Sequence, residues 1–93
     1  DVKFVGKILL PLELRIQTES KIVKLSPEDL VEIVRVEDTK FAPPKFRHFV
    51  FKLKDGSQIT GKFLDPKMIV WTSFDPDYEI ITQDIYSVFL SHK

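Results

Sequence analysis

Phe49-Val50-Phe51-Lys52-Leu53-Lys54-Asp55-Gly56-Ser57-Gln58-Ile59-Thr60-Gly61-Lys62-Phe63-Leu64 alternates apolar and polar residues on both sides of one Asp-Gly pair. Alternation of period two marks a strand with one buried face. Asp-Gly supplies the positive φ angles of a tight primed turn. The segment therefore reads as a β-hairpin closed by Lys54-Asp55-Gly56-Ser57. Phe49, Phe51 and Leu53 face the core, while His48, Val50, Lys52 and Lys54 share the opposite face.

The same alternation recurs outward in both directions, and helical periodicity is almost absent. Nine strands are expected: Val2–Leu9, Leu12–Thr18, Lys21–Leu25, Leu30–Glu37, Arg47–Leu53, Gln58–Leu64, Met68–Ser73, Tyr78–Ile81 and Ile85–Ser91. Their spacing of about ten residues predicts an all-β small barrel or sandwich. Ser26-Pro27-Glu28-Asp29 carries a helix-start signature, with room for a single turn before the next strand.

Compared with itself at a shift of 55, the chain aligns Gly6–Ile33 with Gly61–Val88 without a gap. Gly6, Lys7, Leu9, Pro11 and Asp29 meet Gly61, Lys62, Leu64, Pro66 and Asp84. The expectation is one domain over residues 1–93, made of a repeat unit 6–33, a linker and extra strand 39–54, and a second unit 61–88. Pro43-Pro44 bars the linker from continuing a central strand. Mid-strand Gly6 and Gly61 predict bends of the sheet.

The hairpin segment Phe51–Leu64 resembles the opening strands of Sm-like small barrels, in which a charged-Gly turn leads into a Gly-bearing strand. The resemblance implies barrel-like geometry. Ile69 stands where that family carries a base-contacting Asn, and its Arg-Gly motif is replaced around Asp84-Ile85-Tyr86-Ser87, so its RNA-binding residues do not carry over.

Composition narrows the function. Fourteen basic and fourteen acidic residues cancel, so an anionic partner would need a local patch. There is no Cys, which removes disulfides, thiolate ligands and Cys nucleophiles. No apolar run reaches the roughly 18 residues of a membrane span, and a soluble chain, cytoplasmic or exported after processing, is expected. A start at Asp1 reads as an excised domain or a processed chain. The two imidazoles, His48 and His92, form no pair at metal-ligand spacing, and no catalytic residue, metal or cofactor is assigned. Asp29 and Asp84 recur in both units and read as turn residues.

Two surfaces remain. Residues 40–54 hold five positive residues, four Phe and no acid. Lys45, Arg47, Lys52 and Lys54 are there the candidate binders of a nucleic acid or another polyanion. The second surface follows from the shift of 55. Leu14 and Ile16 point inward and Glu13 and Arg15 outward, so Ile69 and Trp71 should point inward and Met68 and Val70 outward. Leu90, opposite Arg35 in the comparison, joins them. Met68, Val70 and Leu90 are thus the candidate interface of a non-enzymatic binding or assembly module serving a protein partner or a second copy. Polyanion binding is the alternative.

Overall fold

The computed structural model describes residues 2–36 and 47–91. All nine expected strands form: β1 (Val2–Leu10), β2 (Leu14–Gln17), β3 (Ile22–Leu25), β4 (Leu30–Arg35), β5 (Phe49–Leu53), β6 (Gln58–Phe63), β7 (Lys67–Trp71), β8 (Tyr78–Ile81) and β9 (Ile85–Leu90). The expected linker 39–46, with Lys45, and the terminal His92 lie outside the described residues. Single 3-10 turns at Pro27–Asp29 and Thr82–Asp84 lead into β4 and β9. Pro27 sits in the first turn, where its missing N–H costs nothing.

The strands make one sheet in the order β3-β2-β6-β5-β4-β9-β1-β7-β8. It does not close, so β3 and β8 are edges, and the expectation of a barrel or sandwich is met only in its all-β part. From the central β4–β9 pair, β6, β2 and β3 succeed one another on one side as β1, β7 and β8 do on the other, with β5 interposed. Each half thus lends a strand to the other: β1 lies against β7, and β6 against β2.

The two mid-strand glycines sit at these exchanges, and their role is close approach. A Cβ on Gly6 would collide with the Trp71 carbonyl oxygen, and one on Gly61 would lie 2.6 Å from both the Gln17 carbonyl oxygen and Ile16 Cγ2. Backbone crosses backbone there without room for a methyl group.

The Asp-Gly hairpin forms with a different turn from the primed one expected. Only Gly56 has positive φ, at 89°. Gly56 N–H donates to Leu53 O and Leu53 N–H to Ser57 O, so three residues, 54–56, make the loop. A three-residue loop needs one left-handed residue, and Gly56 supplies it.

The core gathers Leu14, Ile16, Leu30, Ile33, Phe49, Phe51, Phe63, Met68, Val70, Ile85 and Val88. Phe63 meets Phe49 and Phe51 edge-on at 4.8 and 5.1 Å between ring centres, an arrangement that aromatic quadrupoles favour. The inward side of β5 is as expected. That of β7 is reversed: Met68 and Val70 are buried, Ile69 is half-buried, and Trp71 is exposed.

The cause is a phase shift. The β1–β7 register slips between Ile8 and Leu10, which sets Leu9 apart as one extra residue in β1. Beyond it, Leu14 and Ile16 correspond in burial to Met68 and Val70, a separation of 54, one less than 55. Between β7 and β8 the turn is one residue longer than between β2 and β3, which restores 55 by the 3-10 turns. Two offsets of opposite sign leave a gapless alignment that is out of phase in one strand.

Candidate interaction surface

The outward side of the sheet is built by the same alternation that fills the core. In β1, Phe4 and Gly6 are buried, so Lys3, Val5 and Lys7 turn the other way. Parallel pairing sets Val5 beside Phe89 of β9, and antiparallel pairing sets Lys7 beside Trp71 of β7. Registered residues of neighbouring strands share a face. Val5, Phe89 and Trp71 therefore form one stepped apolar row across three strands, Val5 beside Phe89 and Trp71 diagonal to Val5, exposed by 64, 50 and 40%. Next to Phe89, on β4, stands Glu32, whose Oε1 lies 3.3 Å from Lys52 Nζ on β5. Lys3 Nζ lies 4.6 Å from the centre of the Tyr86 ring, which holds this cation at the border of the row.

At the end of the row, Lys7 and Leu9 also line a cavity of about 400 Å³, together with Glu28, Lys54 and Leu90. Two backbone bonds shape its walls. Ser91 N–H donates to Gly6 O at 2.7 Å, fastening the end of β9 to β1. Lys54 N–H donates to Asp29 O at 2.9 Å, drawing the hairpin loop onto the Pro27–Asp29 turn. Among the described residues no ion pair engages Lys7 or Lys54.

The candidate interface residues lie elsewhere. Met68 and Val70 are covered by the chain's own core, and Leu90 is half-buried against it. Arg35, compared above with Leu90, is buried too, and its Nε donates to Ile85 O at 3.0 Å. The described polyanion candidates, Arg47, Lys52 and Lys54, are not brought into one patch. Arg47 and Lys54 flank opposite ends of β5, Arg47 donates from Nη1 to Gln83 O at 2.8 Å, and Lys52 pairs with Glu32. Of these three, Lys54 joins another cation, Lys7, at the cavity.

His48 is half-buried and lines a separate cavity of about 310 Å³ with Thr18, Thr60 and Lys62. Asp29 and Asp84 close their 3-10 turns, after which Leu30 N–H donates to Pro27 O and Ile85 N–H to Thr82 O. Among the described residues no three His, Asp or Glu converge as a metal site, and no helix is long and apolar enough to cross a membrane.

Sequence reasoning missed the row of Val5, Phe89 and Trp71. The signal for Val5 was present, since it alternates with Phe4 and Gly6. Trp71 was assigned inward by the shift of 55, and Phe89 is legible only once β9 is known to lie beside β1. Comparison with known protein families, curated proteins and solved structures found no match, so the chemistry of this surface is the ground on which function is argued.

Proposed function

We propose that this domain is a non-enzymatic protein-interaction module whose docking surface is the outward face of β1, β9 and β7. The observation that carries the reading is the exposed face shared by Val5, its registered neighbour Phe89, and Trp71, which is registered with Lys7. Aromatic residues at the centre of a patch with polar residues around it are the make-up of interface cores. Scattered exposed apolar residues need no explanation, but three on adjoining strands form a contiguous patch.

We also infer that the two halves descend from one duplicated unit, supported by the order of strands about the β4–β9 pair, the two 3-10 turns and the two close-approach glycines. On the corresponding strands of the other half, Thr60 stands for Val5 and Gln17 for Trp71. The folding role common to both halves is satisfied by polar residues at those places. Phe89 has the apolar counterpart Val34, so Val5 and Trp71 are the additions to one half, and docking accounts for them.

Lys3 and Lys7 border the row, so a second copy laid on the same face would bring like charges together. The occupant is a different protein that presents apolar side chains. Selecting displayed random peptides on the immobilised domain tests this. Apolar peptides should be retained, and Val5→Asp with Phe89→Asp should abolish their binding while circular dichroism and thermal unfolding stay close to wild type. Failure to retain any peptide, or binding that ignores the paired substitution, would overturn the proposal.

A further inference from the structure

We infer that the partner segment carries a carboxylate, which enters the cavity between Lys7 and Lys54 while the flanking apolar side chains lie on Val5 and Phe89. This deepens the proposed docking function and rests on it. The apolar row and the cavity are continuous, because Lys7 belongs to both. It stands beside Trp71 in the row and lines the cavity with Lys54. A segment crossing Phe89 and Val5 thus meets two cations at the end of its path.

The cavity's charges set the choice of ligand. Lys7 and Lys54 contribute two positive charges against one from Glu28, leaving an excess of one. Leu9 and Leu90 line the same space, so a bound anion is partly removed from water, where charge-assisted hydrogen bonds are stronger than between exposed groups. A volume near 400 Å³ admits an acidic side chain with its local backbone. The backbone that carries each lysine is fixed. Lys54 follows the bond from its N–H to Asp29 O, and Lys7 follows the β1–β7 pairing. The walls of the site therefore exist before the partner arrives, and only the two lysine side chains remain to be ordered.

A long polyanion is poorly served by the same arrangement. The next described basic neighbours along β5, Lys52 and Arg47, already engage Glu32 and the Gln83 carbonyl, so a phosphate chain leaving the cavity along β5 would have to compete for them.

Peptides retained by the domain should share an Asp, a Glu or a terminal carboxylate next to their apolar residues. One such peptide, labelled for fluorescence polarisation, should bind about tenfold more weakly to a Lys7→Gln, Lys54→Gln variant. Removing the peptide's carboxylate, by Glu→Gln or Asp→Asn or by amidating its end, should weaken wild-type binding similarly and have little effect on the variant. Raising salt should weaken the wild-type complex more than the variant complex. Peptides without an acid, or equal affinity for wild type and variant, would overturn the carboxylate inference. Loss of binding in the Val5, Phe89 variant would still uphold the docking face in that case, so the two readings fail separately. Tighter retention of a single-stranded oligonucleotide than of any peptide, lost in the same lysine variant, would overturn the protein partner itself.

Discussion

Thr72 makes the same three hydrogen bonds as Thr18. In each case the Thr N–H and Oγ1 donate to the carbonyl of the residue three positions on, Lys21 or Asp75, and that residue's N–H donates back to Oγ1. One hydroxyl thereby closes each hairpin. The environments differ, since Thr72 is buried and Thr18 is half-buried. Replacing Thr by Val keeps the shape and removes the hydroxyl. Thr18→Val should cost about 0.5–1 kcal/mol, because water can serve the freed N–H. Thr72→Val should cost about 1–3 kcal/mol, because the Asp75 N–H then lacks its acceptor beside a buried site. Urea unfolding of the two variants measures the difference.

Met68→Ala should destabilise the domain by about 2–5 kcal/mol, the usual range for a truncated core side chain. Met68→Glu with Val70→Lys should prevent folding, because charges would stand in the core without partners. Trp71→Gln, one residue away on the opposite face, should leave the midpoint of denaturation within about 0.5 kcal/mol of wild type. Trp71→Gln proving as damaging as Met68→Ala would contradict the observed phase of β7.

Gly6→Ala should be the harsher of the two close-approach substitutions, because a methyl group there meets the Trp71 carbonyl, whereas at Gly61 part of the clash is with the side chain of Ile16. Overpacking of this kind costs about 1–3 kcal/mol or more. A double variant Gly61→Ala, Ile16→Leu, which lacks the clashing γ2 methyl at similar volume, should recover part of the loss at Gly61. Gly56→Ala meets no atom within 4 Å, so its cost of about 1 kcal/mol should come from the positive φ alone. Thermal unfolding of the four proteins orders these effects.

The Asp55 carboxylate accepts from Ser57 Oγ at 2.5 Å and Ser57 N–H at 2.8 Å. The Ser57 hydroxyl, and then its backbone N–H, hold the Asp55 pKa below the ordinary 3.8. A depressed folded-state pKa gives stability that is present above 3.8 and lost as pH falls through the lower folded value. Wild type should exceed Asp55→Asn in stability at neutral pH, with the gap closing once the solution is well below that value. Ser57→Ala should shrink the gap at neutral pH. Denaturation series at several pH values read both changes.

The strands were legible from alternation alone, and Tyr78–Ile81 has the very limits expected of it. What alternation cannot carry across a bend is phase. A single extra residue, Leu9, turns every following side chain of the compared strand to the other face, and the longer turn after Thr72 conceals the slip by restoring the count. Met68 and Val70 were therefore assigned outward for a sound reason applied one residue out of step. The docking row was out of reach for another cause. Val5 and Phe89 are 84 residues apart, and only the β1–β9 pairing makes them neighbours. Arg47 and Lys52 read as open cations because their partners, the Gln83 carbonyl in the Thr82–Asp84 turn and Glu32 on β4, come from elements distant in sequence.

The position of β1 also governs when the molecule can fold. Its neighbours in the sheet are β9 and β7, both made long after it. As the chain leaves a ribosome, β1 emerges before both strands it pairs with, and its edges stay vacant until β7 and β9 have appeared. β6 claims β2 earlier, so that half can begin to assemble while synthesis continues. The other half must wait for β9, then join strands whose paired residues, such as Val5 and Phe89, are 84 positions apart. Such distant pairing is slow, and during the delay Phe4 and Ile8 are open to any chaperone that binds extended apolar segments.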